Sequence, residues 1–446
     1  MSRAATTSPR GRTGLGLTLT AIVASVSAIA MVGLGLRDRV PQNLSIYGPL
    51  IVLGFAAVHV AIRKVARNAD PVLFPTAALL SGLGLAMIFR LPARMGGRPG
   101  ELAFEQATWL GLGLALVVAT LIVIRDHRRL DAYTYTLGLG GLVLLLLPIV
   151  PGLGKSVNGA RLWVELGPLS FQPAELGKVL IVVFLASYLS AKRELLQFGT
   201  LKVGPLRLPH PKHLGPLGVA WGASLAVLFL ERDMGASLLY FAIFVVMLWV
   251  ATGRAGYLVL GLVLFAAGAW LGYQAFEHVQ TRIDVWLQAL DPEKVPLQGY
   301  GQLAQGQFAM ATGGLVGSGL GRGLPDLIPF VATDFIFAAF GEELGLLGTT
   351  GLLLVYLVLI GRGLRAAIEA QDDFGKLLAV GLTAAVGLQA FVIAGGVTRL
   401  IPLTGVTLPF VSYGGSSLVS NFIILGLLIR VSAGPWAQRR KATTDG

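Results

Sequence analysis

YLVLGLVLFAAGAWLGYQAF, residues 257–276, carries no charge over twenty positions. At ~1.5 Å of helix per residue that is enough to cross the ~30 Å of hydrocarbon in a bilayer. Its apolar residues run continuously instead of alternating. That argues against a strand of a closed β-barrel, the only other spanning structure whose backbone hydrogen bonds close without water. The same reading repeats outward along the chain. Further apolar segments fall near 15–35, 45–62, 72–91, 106–124, 134–150, 171–190, 215–231, 235–252, 334–361, 376–394 and 415–432. The expectation is an all-α protein, a polytopic transmembrane helical bundle of about twelve helices.

Composition agrees. Of 446 residues, 54% are hydrophobic and only 13% charged, whereas a soluble protein carries roughly 25% charged residues to cover its surface. The chain has no cysteine, which excludes disulfides, thiolate metal sites and thiol nucleophiles. Residues 15–35 are longer than the apolar core of a signal peptide and are followed by no small-residue cleavage site, so no cleavable leader is expected.

The formal net charge of +12 suits either nucleic acid or an anionic membrane surface, and its distribution decides between them. With the N-terminus in the cytoplasm, the inward connections and tails hold most of the 35 basic residues, among them Arg63, Lys64, Arg67, Arg125, Arg128, Arg129, Lys192 and Arg193. This is the positive-inside pattern. It predicts cytoplasmic tails at 1–14 and 433–446 and gives no reason to invoke a nucleic-acid partner. Three outward connections, 151–170, 277–333 and 395–414, are long or rich in polar residues, Gly and Pro. Such connections tend to be functional, so chemistry is expected on the outer face.

Four stretches carry the candidates. NGARLWVELGPLSFQPAELGK, residues 158–178, opens with Arg161 and Trp163 in what reads as a short amphipathic, interfacial or re-entrant segment. Pro173 then suits a helix start, and Glu175 and Lys178 share one face of that helix. Opposite charges in the first turns of a membrane span are costly unless paired or facing a polar cavity. Two readings stand: an ion pair that locks two helices, or a polar cavity in which Arg161 and Lys178 meet phosphate. In VATDFIFAAFGEELG, residues 331–345, Asp334 lies at the outer mouth of a long apolar helix. It reads as a helix-start residue beside a Thr333 cap or as a reactive carboxylate facing the outer loops. Glu342 and Glu343, two turns deeper, read as helix-packing groups.

RLIPLTGVTLPFVSYGGSSLVSN, residues 399–421, cannot be a continuous helix. At membrane depth such backbone persists only where protein buries it or it lines a cavity. Gly414, Gly415, Ser416 and Ser417 open the last helix, either as an anion-binding N-terminus or as an ordinary helix start. In the outer connection with Arg282, Asp284, Trp286, Asp291 and Pro292, residues 277–294 read as an amphipathic segment on the membrane. Gln302 and Gln305 further on face a sugar or simply solvent. His210 and His213 sit in an inward loop without zinc-type spacing. No phosphate-binding glycine loop of nucleotide enzymes and no G-x-S-x-G elbow is present.

Three of these stretches together resemble the SEDS family, the RodA, FtsW and SpoVE proteins of peptidoglycan synthesis. The matching residues are Gly159, Ala160, Arg161, Trp163, Gln172, Pro173, Glu175 and Lys178, then Thr333–Phe337 with Glu342–Gly345, then Thr407–Phe410 with Ser412–Ser417. The likeness runs in order over residues ~70–432, a length and motif number that chance does not supply. It is nearest to the RodA-type members of actinobacteria, in part through DPVLFPTAALLSGLGLAMIFRL at residues 70–91. Ala332, Ala174, Ile393 and Arg399 depart from the family pattern, where histidine, serine, asparagine and glycine are common. The division expected is two additional N-terminal helices at 15–70 and a catalytic core at 71–432 that includes the outer loop 277–333.

The resemblance implies a peptidoglycan glycosyltransferase in the bacterial cytoplasmic membrane, polymerising lipid II into β-1,4 glycan strands on its outer face for elongation or division. It implies Asp334 as the catalytic base. Arg161, Glu175, Lys178, Gln172, Gln302, Gln305, Ser416 and Ser417 are the substrate-binding candidates. It also implies a divalent cation, Mg or Mn, with ligands not assignable to residues, apolar grooves for the polyprenyl tails, and a class B penicillin-binding protein as partner. Two rival functions remain at this stage, a lipid II flippase and a non-catalytic scaffold for the transpeptidase.

Overall fold

The computed structural model describes residues 9–37, 43–91, 101–157, 160–166, 169–197, 201–203, 206–208, 215, 218, 222, 225–226, 233–297 and 299–434. In chain order the elements are helices α1 Pro9–Arg37, α2 Leu44–Val65, α3 Leu73–Arg90, α4 Glu101–Val123 and α5 Thr134–Leu146, then strands β1 Gly154–Val157, β2 Ala160–Leu166 and β3 Leu169–Phe171. Helices α6 Pro173–Ala191 and α7 Arg193–Gln197 and strands β4 Leu201–Val203 and β5 Leu206–Leu208 follow. The remainder is helical: α8 Met234–Thr252, α9 Gly256–Ala275, α10 Glu277–Gln288, α11 Tyr300–Gly313, α12 Ile336–Glu369, α13 Asp373–Val397 and α14 Gly415–Ser432.

Among the described residues, eleven segments are long and apolar enough to cross a bilayer, and the chain is a multi-pass helical membrane protein. The further span expected at 215–231 lies outside the described residues but for isolated positions. The elements group into two units, one of residues 1–126, 305–366 and 407–446, the other of residues 127–304 and 367–406.

In the first unit α1 packs on α3 and α2, and α14 packs on α4. Backbones come close there because small residues sit at the crossings, the usual solution where lipid offers no hydrophobic drive between helices. At Gly113 of α4 a Cβ would stand 2.2 Å from the Phe422 ring of α14. One end of the unit is held by polar groups. The buried Arg430 guanidinium donates to the carbonyls of Val65 and Leu121, tying the ends of α2, α4 and α14. Arg362 lies 3.4 Å from Asp70, whose backbone N–H donates to Ser432 Oγ at 3.2 Å.

In the second unit α6 is central, packed against α5, α8 and α13. The connection 151–170 corrects the expectation of an amphipathic or re-entrant segment. It folds into a three-stranded antiparallel sheet in the order β1-β2-β3, pairing Lys155 with Trp163 and Val164 with Phe171. The reason is local. ARLWVEL, residues 160–166, alternates with period two, the strand pattern, so that Val164 is buried while Arg161 and Glu165 are exposed. Lys155 pairs with Glu165 across the hairpin at 2.5 Å.

The connection 277–333 is also largely structured, holding α10, α11 and a 3-10 turn at Pro325–Leu327. α10 forms the expected amphipathic helix, but protein and not only the membrane surface holds it. Arg282 donates to Leu403 O at 3.0 Å and Trp286 Nε1 to Arg399 O at 3.0 Å, while Arg399 returns bonds to the carbonyls of Trp286 and Leu287.

Asp372, in the turn before α13, gives this unit a pH-dependent fastening. Burial alone would raise its carboxyl. The Gly375 N–H at 2.8 Å, the Arg128 guanidinium at 3.0 Å and His127 outweigh that and hold it below the usual aspartate range. A depressed carboxyl stabilises the fold above its unfolded value and loses that contribution as pH falls through the folded value. Asp372→Asn keeps the Oδ1 that caps the helix and removes the charge together with the Oδ2 that accepts from Arg128. It is expected to lower the Tm of the purified protein near neutral pH, with the gap from wild type closing below about pH 4. An equal gap at both pH values would refute the assignment.

Candidate functional site

Asp334 does not open the helix directly. α12 begins at Ile336, and residues 330–335 form a turn in which the amides of Thr333, Asp334 and Phe335 donate to Phe330 O at 3.1, 3.1 and 3.3 Å. Thr333 is therefore not the expected cap: its hydroxyl donates back to Phe330 O at 3.2 Å. Phe330 itself has φ 55, a conformation that costs a bulky residue free energy and persists only where surroundings enforce it. Asp334 is half-buried at the rim of this turn.

The 407–417 stretch holds the turn in place. Tyr413 N–H donates to Ala332 O at 2.8 Å, and Ser412 Oγ donates to Thr333 O at 2.6 Å while accepting from Leu408 N at 2.8 Å. Two carbonyls adjoining Asp334 are thus fixed by the polar-aromatic run. Tyr413 OH in turn bonds the Glu105 carboxylate. Ser416 and Ser417, both buried, begin α14, where Ser417 Oγ accepts from Thr407 at 2.8 Å and from Asn421 at 3.2 Å. Ser412→Ala removes one of the two bonds and takes the acceptor from the Leu408 amide, so it is expected to lower the Tm of the purified protein by a few degrees. Thermal unfolding measures this, and an unchanged Tm would contradict it.

The first nine residues of α12, 336–344, are separated from the rest by a break. Gly345 takes φ 66 and ψ −167, interrupting the helix. Freed backbone groups in a membrane must find partners within the protein, and residues 314–324 supply them. Leu346 N and Leu347 N donate to the carbonyls of Gly314 and Leu315 at 2.9 and 3.1 Å. Ser318 N and Gly319 N donate to the carbonyls of Glu342 and Glu343, both at 2.9 Å. The side chains complete the splice. Glu343 accepts from Gly321 N at 2.9 Å and from Arg90 Nε at 2.8 Å, Glu342 accepts from Leu324 N at 2.8 Å, and Arg90 reaches Gly323 O at 2.5 Å. The packing role read for Glu342 and Glu343 is what this geometry gives them.

In the second unit Pro173 occupies the first turn of α6, and Glu175 and Lys178 project from one face. Lys178 is 2% exposed, with Nζ 2.8 Å from Glu175 Oε2 and 2.7 Å from Gln389 Oε1 of α13. An ammonium has three donors, and these bonds use two. The ion pair of the first reading is present, and Gln389 extends it to α13.

Asp233, which the sequence reading passed over, belongs to the same cluster. It caps α8, accepting from Ala236 N at 2.8 Å, and Gln172 Nε2 approaches it at 3.5 Å. Burial raises the Asp233 carboxyl above its usual range. The Ala236 N–H works against that shift and nearby Glu175 adds to it. An aspartate directly before the apolar run at 234 was a legible helix cap. Gln389, mid-helix in α13, gave no such signal.

Arg161 is exposed on β2. Gln302 and Gln305 stand on α11, the former partly buried and the latter exposed. Among the described residues no group of three or more His, Asp or Glu side chains is arranged to hold a metal ion.

A family model described as a cell cycle protein of the FtsW, RodA and SpoVE type matches residues 71–435. The chain is 45% identical over 419 residues to the peptidoglycan glycosyltransferase RodA of Mycobacterium tuberculosis, covering 93% of this chain and 88% of that one. It is 32% identical over 369 residues to a probable peptidoglycan glycosyltransferase FtsW of Geobacter metallireducens, covering 81% and 94%. Among solved structures, a chain of a peptidoglycan synthase complex that coordinates polymerization and crosslinking superposes with a TM-score of 0.63 at 29% identity, over 82% of this chain and 97% of that one. RodA of Thermus thermophilus superposes with a TM-score of 0.56 at 27% identity, over 82% and 96%.

Proposed function

The chain belongs to the FtsW, RodA and SpoVE family, and from that premise we propose that it is a peptidoglycan glycosyltransferase that polymerises lipid II on the outer face of the bacterial cytoplasmic membrane. The observation that carries the reading is Asp334. It is a half-buried carboxylate ahead of a broken membrane helix, in a turn whose adjoining carbonyls are fixed by Ser412 and Tyr413.

The reaction asks little more of the base than this. The acceptor 4-hydroxyl oxygen attacks C1 of the donor muramoyl sugar, and its proton passes to Asp334. The bond from C1 to the diphosphate oxygen breaks, and its electron pair leaves with the polyprenyl diphosphate. In-line attack converts an α-linked donor to a β-1,4 product. A diphosphate leaves without a general acid, so one carboxylate suffices where glycoside hydrolases need two. Positive charge at the departing diphosphate lowers the barrier, and Lys178 and Arg161 are the cations assigned to it. A divalent cation, Mg or Mn, would arrive with the diphosphate. The positive-inside distribution of Arg63, Lys64, Arg67, Arg125, Arg128 and Arg129 supports cytoplasmic termini and an outward-facing Asp334. A class B penicillin-binding protein, the transpeptidase that would crosslink the strands, is the partner proposed.

The test is reconstitution in liposomes with labelled lipid II and the transpeptidase. Glycan strands forming on the face that carries Asp334 are expected. Lipid II crossing the bilayer with no polymer would overturn the assignment in favour of a transporter.

A further inference from the structure

The segment shared with the family begins at residue 71, which leaves α1 and α2 outside it. Yet α1 reaches the element that holds Asp334. Gly35, near the end of α1, lies so close to residues 320–321 that a Cβ there would stand 2.1 Å from Leu320 O and 3.0 Å from Gly321 Cα. From the other side, a Cβ on Gly321 would stand 2.6 Å from Val32 O. Backbone therefore meets backbone with no side chain between. Val32 is fully buried, and α1 is anchored along its length on α3. Near its other end Thr18 bonds His59 of α2 at 3.1 Å.

The loop touched by Gly35 is the splice across the break in α12. Gly321 N binds the Glu343 carboxylate, which Arg90 also grips. Leu324 N binds Glu342. Because Gly345 interrupts α12, the short segment 336–344 that follows Asp334 is not fixed by a continuous helix. It is fixed by residues 314–324, and those residues rest on α1.

We propose that α1 is a positioning element for catalysis, with Gly35 as the residue that seats the 314–324 splice and so sets the place of Asp334. The accessory helix is then part of the working enzyme and not an anchor added to it. The inference rests on Asp334 being the base, and the test separates the two claims.

Gly35→Ala adds one methyl that must displace the Leu320 carbonyl. Gly16→Ala is its control, since Gly16 on the same helix faces open space. Both are assayed as full-length protein with the transpeptidase and lipid II, beside wild type and Asp334→Asn. Gly35→Ala is expected to lower kcat about tenfold or more, with KM for lipid II, partner binding and Tm near wild type, because small displacements of a reacting group lower rate more than affinity. Gly16→Ala is expected to stay within about twofold of wild type. An inactive Asp334→Asn beside a fully active Gly35→Ala would overturn the inference while leaving the reaction assignment standing. Equal losses in both glycine variants would also overturn it. Should Gly35→Ala fail to fold, Val32→Ala removes buried side-chain packing from the turn of α1 that carries the contact, without adding an atom. It must show the same selective fall in kcat, and a wild-type kcat would sink the proposal.

Discussion

Asp334→Asn is expected to eliminate strand synthesis, with kcat reduced at least ~10³-fold, near the upper end of what a general base contributes. The side chain keeps its size and loses its charge, and with it the capacity to take a proton. Its turn is fastened by backbone carbonyls of Thr333 and Ala332, so the fold has little reason to change. Lipid II binding and transpeptidase binding should stay within about twofold of wild type, which is the signature of an interaction made only in the transition state. Asp334→Glu keeps a carboxylate but moves it by a methylene. It should retain measurable activity, below wild type by about a hundredfold, since orientation of the reacting groups is worth that much. Equal activity of wild type and Asp334→Asn would remove Asp334 as the base.

Lys178→Met is expected to produce the second large loss, about 10²–10³-fold in kcat, the scale of deleting one preorganised group from a developing charge. The variant also takes the ammonium away from Glu175 and Gln389, which it meets at 2.8 and 2.7 Å, and breaking a buried pair is itself destabilising. A second substitution separates the two effects. Glu175→Gln added to Lys178→Met removes the uncompensated charge and should recover Tm. If Lys178 serves the diphosphate, the double variant stays slow although it is stable. Recovery of rate together with stability would show that the pair only locks α6 to α13.

The spans were legible because a bilayer imposes a coarse rule, ~20 continuous apolar residues, that KLLAVGLTAAVGLQAFVIA at 376–394 obeys without ambiguity. The three motifs were legible because several positions recur in order. What escaped depends on residues far apart in the chain. The sheet at 154–171 was missed because ARLWVEL is short and flanked by Gly and Pro, and its alternation was read as amphipathic surface. The break in α12 was missed because FGEELG at 340–345 marks it only with two glycines, and glycine is ordinary in membrane helices. The carbonyls of Gly314 and Leu315 that make the interruption tolerable lie some thirty residues earlier.

Thr333 looked like a cap because cap residues are recognised by type, while the turn that claims its hydroxyl is set by the φ of Phe330. Glu342 and Glu343 were read as packing groups from depth alone. Their partners, Arg90 and the amides of Gly321 and Leu324, lie far from them in the chain and carry no local signal. Asp233 is legible as a helix cap directly before the apolar run at 234, at the edge of a span.

The most direct test of the central claim is the pH dependence of single-turnover glycosyl transfer, measured with enzyme saturated with lipid II, for wild type and for the residual activity of Asp334→Asn. The account predicts that the wild-type rate rises with pH along one ionisation and then levels, because the carboxylate must be free to take the acceptor proton. It predicts that the residual rate of Asp334→Asn lacks that limb. The same limb in both proteins would mean that another group takes the proton, and the role given to Asp334 would be wrong.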